Sequence, residues 1–387
     1  MSHDASVAVD LPEAAWWVAV STLPEVGPKR LHTLRAKWSG PEVWDRILSS
    51  TAGRDPGVAQ AIGPRADAIT SGWRVAAQAA SVSQIWQRHL GAGIGVALIE
   101  DRDFPEPFFA DIEPPDVLFS KGDLACIDGP RVGVVGTRKA SRYGREVAHE
   151  LGFDLARAGV RVVSGLALGI DGAAHRGALA AGQSGLAAPP IGVVAGGLDV
   201  VYPPDHTSLY RQVAERGVLL SEAPLGQRPQ KWRFPARNRL IAALADALVV
   251  VESPLKGGSL LSADEAATRG RTVFAVPGSV RSPGAAGTHK LLYDGAQLCR
   301  DADDVLLELG IQPGGRRGPP GARLARSPAD QSVLDAVGWT PATLEQIAVR
   351  ANLPLVDLAA AVSRLEAAGR LVCDDGWFEQ VANGGSR

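Results

Sequence analysis

The sequence predicts an α/β fold, a parallel sheet flanked by helices, set between a small N-terminal helical domain and a C-terminal domain of helices and a β-ribbon. Three observations predict it. Short β-branched runs alternate with stretches of helical spacing, and each run ends in a Gly-rich turn. Hydrophobic residues make up 45% of the 387 residues but aromatics only 5%, so Ala, Val, Leu and Gly must fill the core, as they do in parallel sheets covered by helices.

Taken from the N-terminus, Ala14–Leu48 alternates helical apolar spacing with a Leu23-Pro24-Glu25-Val26-Gly27-Pro28 break, which reads as helix, tight hairpin, helix. It opens a helical domain over residues 1–80. The hairpin resembles helix-hairpin-helix (SAM-like) modules, whose turn amides can face a DNA phosphate with Lys29, Arg30, Arg35 and Lys37 nearby. An ordinary helix turn, or a protein-contact surface, fits these residues equally well.

Residues 81–310 form the α/β domain. Ile94–Asp128, with Phe104-Pro105, Pro114-Pro115 and Val117-Leu118-Phe119, leads into the sheet by an edge element. The strand runs are RVGVVG (131–136), VRVVSG (160–165), IGVVAGG (191–197), GVLLSE (217–222), ALVVVES (247–253) and TVFAVPG (272–278). Tyr143–Ala158, Gly172–Gly182, Thr207–Arg216 and Leu260–Arg269 have helical spacing, so right-handed crossovers give one parallel sheet with helices on both faces.

Residues 311–328 are rich in Gly, Pro and Arg without apolar periodicity, the composition of a flexible linker. Over 329–387, Ser332–Val337, Leu344–Ala351 and Leu355–Ala368 read as helices. Arg370-Leu371-Val372-Cys373 and Trp377-Phe378-Glu379 then flank an Asp374-Asp375-Gly376 turn, the pattern of a winged helix. Asp330, Asp335, Glu345, Asp357, Glu366, Asp374, Asp375 and Glu379 face only Arg350, Arg364, Arg370 and Arg387. An acidic surface argues against strong phosphate contact and for a protein-contact or regulatory module.

Net charge is −2 and the isoelectric point is near 6.4, so any nucleic-acid binding must use a local basic patch. Cys126, Cys299 and Cys373 have neither a disulfide framework nor zinc spacing, which fits a reducing cytoplasm. Met1–Asp10 lacks a signal-peptide pattern, and no apolar run reaches the roughly 18 residues of a membrane span. A cytoplasmic protein with no membrane insertion, no metal and no cofactor is expected.

In an open parallel sheet, ligands bind beyond the carboxyl ends of the strands. Those loops hold Gly136, Thr137, Arg138 and Lys139, then Ser164 and Gly165, then Gly196-Gly197, then Ser221-Glu222. Lys231-Trp232-Arg233-Phe234-Pro235-Ala236-Arg237-Asn238-Arg239 and Lys256-Gly257-Gly258-Ser259 complete the set. Small residues let backbone amides approach phosphate oxygens, Arg and Lys supply charge, and an aromatic ring can stack a base. A lone Gly-rich turn is more often turn chemistry than a ligand site; the convergence of several is what points to a flexible nucleic-acid strand.

Gly136-Thr137-Arg138, SGLALGIDGAAH (Ser164–His175), Leu198-Asp199-Val200-Val201-Tyr202-Pro203-Pro204, FPARNRLIAALADALVVVES (Phe234–Ser253), GGSLL (Gly257–Leu261) and AVPG (Ala275–Gly278) resemble, in order, the DprA/Smf family. The similarity runs from about Ile94 to Leu309. It implies a Rossmann-like homodimer that binds single-stranded DNA in a basic pocket, without catalysis, and delivers it to RecA recombinase during natural transformation. By motif position the pocket includes Arg138, Lys231, Phe234, Arg237, Asn238 and Arg239. On physical grounds Arg138, Lys231, Arg237 and Arg239 take phosphates, the Gly136 and Gly165 amides assist, and Phe234 stacks on a base. Two departures from the family pattern stand out: Gly287-Thr288-His289 where an Asn is common, and Ala167-Leu168 in place of a frequent Ala-Arg.

Enzyme readings fit less well. A phosphoribohydrolase-type nucleotide-processing enzyme shares the parallel sheet and a Gly-Gly turn, but Gly257-Gly258 is followed by Ser259-Leu260-Leu261-Ser262, with Glu265 later, and not by that family's x-Gly-Thr and nearby Glu. No P-loop occurs. Asp171 and His175, four apart, fit a helix-start residue followed one turn later by a histidine with no third ligand nearby in sequence better than an acid/base or metal pair, and Glu222 and Glu252 fit hydrogen-bonding roles in positioning a cationic loop.

Overall fold

Strands whose side chains alternate between two buried faces organise the larger part of the molecule. The computed structural model describes residues 11–183, 187–312, 327–338, 340–368, 370–374 and 376–381. Its main sheet comprises β1 (Gly95–Leu98), β2 (Val117–Gly122), β3 (Arg131–Val135), β4 (Arg161–Ser164), β5 (Ile191–Val193), β6 (Val218–Ser221), β7 (Ala247–Val250), β8 (Thr272–Ala275) and β9 (Gln297–Leu298). The order is β1-β2-β6-β5-β4-β3-β7-β8-β9. Strands β6 to β9 with β3, β4 and β5 pair in parallel, and β1 and β2 add an antiparallel edge.

All six strand runs expected from the sequence are strands, and the segment from Ile94 supplies the edge, as β1 and β2. Strand β9 carries no sequence signal: Gln297 and Leu298 are both exposed and too few to show alternation. The helices between strands include Arg142–Arg157, Ile170–Gln183, Thr207–Arg216, Arg233–Leu244, Gly258–Thr268 and Ala286–Tyr293.

Period-two alternation sorts the strand residues between faces. Val132, Val134, Val162 and Val249 pack with Ala148, Leu151, Leu155, Ile170 and Ala174 of the first two helices. Val135, Val163, Leu248 and Val250 face the other way, onto Leu240, Ile241 and Leu244 of Arg233–Leu244. The N-terminal helices add a third cluster in which Trp17, Val43, Ile47 and Trp73 join Leu166, Leu198, Leu209 and Leu219. Residues 1–312 accordingly cluster as one compact unit, with 313–387 as a second.

In the second unit, helices Pro328–Val337, Leu344–Ala351 and Leu355–Ala367 pack with a three-stranded sheet ordered β10 (Ala342–Thr343), β12 (Trp377–Gln380), β11 (Leu371–Asp374), the architecture of a winged helix. Thr343 closes a capping box with Gln346. The third helix exposes Leu355 and Val356, and its Arg364 is held by Asp330 at 2.6 Å. Of the expected features, linker residues 313–326, Asp375 of the ribbon turn and Met1–Asp10 lie outside the described residues. Among the described residues no helix is long and apolar enough to cross a membrane.

Helix Arg142–Arg157 starts at Ser141, whose Oγ accepts from the Gly144 amide at 3.0 Å. One of its faces carries Glu146, Glu150 and Asp154 at four-residue spacing. Glu150 is mostly buried, its Oε1 has no partner, and burial, reinforced by Asp154 and Glu146, pushes its carboxyl up to about 7. The folded state therefore holds this proton more tightly than the unfolded chain, so stability falls as pH rises from about 4.5 to about 7. Glu150→Gln is expected to raise stability at pH 8 by up to about 3 kcal/mol and leave it unchanged near pH 4. Urea unfolding of both proteins at the two pH values measures this.

Candidate functional site

The loops after β3, β4 and β5, together with the start of helix Arg233–Leu244, surround an open cleft. Its floor is Arg237. This residue is only 7% exposed; its Nη1 donates to the carbonyl of Val193 at 3.0 Å and lies 4.0 Å from Asp171 Oδ2, which accepts the Gly165 amide at 3.1 Å. Burial lowers the Arg237 pKa and raises that of Asp171, while their mutual attraction opposes both shifts. Gly165 is required for this seat, because a Cβ there would overlap Arg237 Nη1. The next residue, Leu166, adopts a left-handed φ of 54°, held by its burial and by His206 Nδ1 at 2.9 Å from its carbonyl.

Above the floor, exposed Arg138 stacks its guanidinium 4.5 Å from the centroid of the Phe234 ring, and Tyr202 packs against Phe234 at 5.7 Å and 53°. Leu168, 40% exposed, and buried Tyr210 add apolar wall. The cleft thus joins a mobile-length cation, a fixed cation and an aromatic face, which suits a group that is anionic at one end and planar at the other. His175 lies beneath it, fully buried, its pKa pushed down to about 4 by burial, hence neutral near pH 7. Among the described residues no group of three His, Cys, Asp or Glu could hold a metal ion.

The order of strands reverses between β3 and β7, but the crevice there is closed. Thr137 donates its amide to the Glu252 carbonyl at 2.7 Å, Ser141 donates to Glu252 Oε2 at 2.8 Å, and Gly136 has Ile170 and Glu252 against it, so closely that a Cβ would lie 2.5 Å from Ile170 Cγ1. The site therefore lies one step along the sheet, over β4 and β5.

Of the residues singled out in the sequence, Arg138, Gly165, Phe234 and Arg237 line the cleft. Lys139, Lys231 and Lys256 are exposed on the flanking loops. The rest serve the framework. Ser164 Oγ donates to the Val134 carbonyl at 2.6 Å, Ser259 to Ser253 Oγ at 2.9 Å, and Asn238 Nδ2 to the Gly258 carbonyl at 3.3 Å; Gly257 packs on Ser253. Arg239 departs most from expectation. It is 4% exposed, pairs with Glu222 and donates to the Glu113 carbonyl at 2.7 Å, so its charge is spent inside the protein. Gly136, Thr137, Gly257, Gly258 and Ser259 likewise do not line the cleft, because the turn chemistry of their loops closes the crevice.

Tyr202, Pro203, Tyr210 and Pro229 line the cleft without having been picked out as site residues. The run Leu198–Pro204 held the signal for Tyr202 and Pro203. Glu222 and Glu252 position the loops by hydrogen bonds, as their placement at strand ends suggested. The N-terminal hairpin turns inward: Gly27 abuts the Trp232 ring, Trp73 Nε1 donates to the Pro24 carbonyl at 2.8 Å, and Arg30, Arg35 and Lys37 are engaged by Glu25, by Glu100 and Asp116, and by Asp55.

Fold and site together define a Rossmann-like protein with an open cationic and aromatic cleft at its strand ends, accompanied by a winged helix. The family model for DNA recombination-mediator protein A matches residues 95–310, and that for the DprA winged helix domain matches 317–376. The DNA processing protein DprA of Bacillus subtilis is 41% identical over 219 residues, 56% of this chain and 72% of that one. The putative DNA processing protein DprA of Mycobacterium tuberculosis is 43% identical over 268 residues, 68% of each chain. The crystal structure of DprA from Streptococcus pneumoniae superposes with a TM-score of 0.60 at 30% identity, covering 76% of this chain and 96% of that one. DNA processing protein A from Helicobacter pylori, described for its single-stranded DNA binding mode, gives 0.50 at 30% identity, covering 56% and 95%. The chain belongs to the DprA/Smf family of DNA-processing proteins.

Gly165→Ala is expected to displace Arg237 and leave Asp171 buried without its cation, a loss of roughly 3–5 kcal/mol in urea unfolding. Unfolding at the wild-type urea midpoint would contradict the seat described for Arg237.

Proposed function

We propose that the protein binds single-stranded DNA with little sequence preference in the cleft over β4 and β5, shelters it, and passes it to RecA recombinase, acting as a homodimer in the cytoplasm. The observation that carries this reading is the stack of Arg138 on Phe234 above the buried Arg237. An arginine lying on an aromatic ring is poised to swing onto a phosphate and cede the ring face to a base. Arg138, with Lys139 and Lys231 alongside, takes phosphates, while Arg237, held by Asp171 and the Val193 carbonyl, forms the floor.

Selectivity for single strands follows from geometry, since paired bases in a duplex cannot turn a face to Phe234. The single-stranded DNA binding described for the Helicobacter pylori relative supports the reading.

Fluorescence anisotropy with a labelled single strand and its duplex, over a range of salt, tests it. The wild type should prefer the single strand. Arg138→Ala should weaken binding and make the slope of log affinity against log salt shallower by about 0.7, the value of one single-strand phosphate contact. Phe234→Leu should cost about 1–3 kcal/mol with little change in slope. Normal affinity in both variants would remove the cleft from the site. Binding of a nucleoside monophosphate without oligonucleotide binding would point instead to a nucleotide-processing enzyme.

A further inference from the structure

Beside the cleft lies a second, shallow surface cavity, and the two share Val194, Ala195 and Arg237. Trp232 and Arg233 stand on its far side, and Pro28 of the N-terminal hairpin forms its edge. Trp232 is 43% exposed. Its orientation is fixed three ways. Nε1 donates to Gln230 Oε1 at 2.6 Å, the Arg233 guanidinium lies 4.4 Å from the ring centroid, and Gly27 closes on its edge, where a Cβ would come within 3.1 Å of Cη2. A ring held this way loses little conformational freedom when a ligand packs on it.

Arg233 is 9% exposed, yet its guanidinium makes no hydrogen bond or ion pair among the described residues, and its Nε is buried without a partner. The acids nearest it are committed elsewhere: Glu222 to Arg239, and Asp116 to His32 and Arg35. Burial lowers the Arg233 pKa, opposed by Glu222. Glu222, which lines the same cavity, offsets part of the cost of burying Arg233, and an anionic group meeting the unbonded guanidinium would offset more of it.

We propose that Trp232 and Arg233 form a second nucleotide subsite, Trp232 stacking a base and Arg233 meeting a phosphate, so that a strand leaving the Phe234 cleft runs over Ala195 and Arg237 toward the Gly27-Pro28 hairpin. This rests on the single-stranded-DNA reading above and extends it: the N-terminal helical hairpin completes the path of the strand by holding Trp232 in place. Because the two cavities adjoin, a single nucleotide fills the Phe234 cleft alone, whereas a strand of about 4 nucleotides reaches both sites.

The test uses the full chain with labelled thymidylates, a mononucleotide as the shorter ligand and a strand of about 4 nucleotides as the longer. Trp232→Ala and Arg233→Gln should each weaken binding of the longer ligand about tenfold and leave the shorter one unchanged, while Trp232→Phe retains most of the affinity. Because Trp232 packs on Gly27, thermal unfolding of each variant accompanies the titration. A readout independent of folding is photocrosslinking of the wild-type protein to a 5-iodouracil-substituted oligonucleotide, with peptide mapping; adducts are expected on Trp232. Wild-type affinity for the longer ligand in both folded variants, or crosslinks confined to the Phe234 cleft, would overturn the proposal while leaving the cleft assignment intact. If the wild type bound neither ligand, the single-stranded-DNA reading itself would fall, and this subsite with it.

Discussion

Arg237 is a guanidinium taken almost entirely out of water at the carboxyl end of a parallel sheet. Burying such a charge costs several kcal/mol unless polar partners meet it. Here the partners come from three elements: the Val193 carbonyl at the end of β5, Asp171 in the first turn of helix Ile170–Gln183, and, through Asp171, the amide of Gly165 after β4. The loops over β4 and β5 are therefore pinned to helix Arg233–Leu244 by one charge, and the absence of a side chain at Gly165 is the condition for it. Everything exposed in the cleft stands on that floor. Phe234 precedes Arg237 by one helical turn, and Arg138 reaches it from the loop after β3.

Two glutamates decide which strand ends stay open. Glu252 gathers the loop after β3 through Thr137 and Ser141 and fills the place where strand order reverses. Glu222 neutralises Arg239 and so removes from solvent a cation that would otherwise compete with the cleft. Net charge near zero is no obstacle to such a site, because its positive potential comes from a few exposed cations, Arg138, Lys139 and Lys231, gathered in neighbouring loops. The winged helix follows the opposite logic: the exposed face of Leu355–Ala367 offers apolar Leu355 and Val356, and its Arg364 is bound to Asp330.

Much of this was legible in the sequence, and what was hidden has specific causes. Strand runs such as RVGVVG and ALVVVES, bounded by Gly-rich turns, gave the sheet, since only buried parallel strands carry such continuous apolar stretches. The two-residue β9 gave no pattern to read. Within the site, Phe234, Arg237 and Arg138 were visible as cations and an aromatic in one set of loops. Arg237 and Arg239 are both buried and two residues apart on one helix, yet one floors the cleft and the other is bound to Glu222 and Glu113; the distinction depends on acids 17 and 126 positions away in the chain. The glycines at 136, 257 and 258 look alike in sequence to Gly165, but only the packing shows that Gly165 makes room for Arg237, Gly136 for Ile170 and Gly257 for Ser253, while Gly258 faces open space. Likewise the hairpin at Gly27 met its partner Trp232 across two hundred residues, a contact that local pattern does not encode.

The most direct measurement of the central claim is a crystal structure of the protein with a short oligothymidylate. The account predicts a base on the face of Phe234, Arg138 turned from that ring onto a phosphate, and Arg237 unmoved beneath Gly165. A strand bound elsewhere, with Arg138 still stacked on Phe234 and the cleft empty, would contradict it.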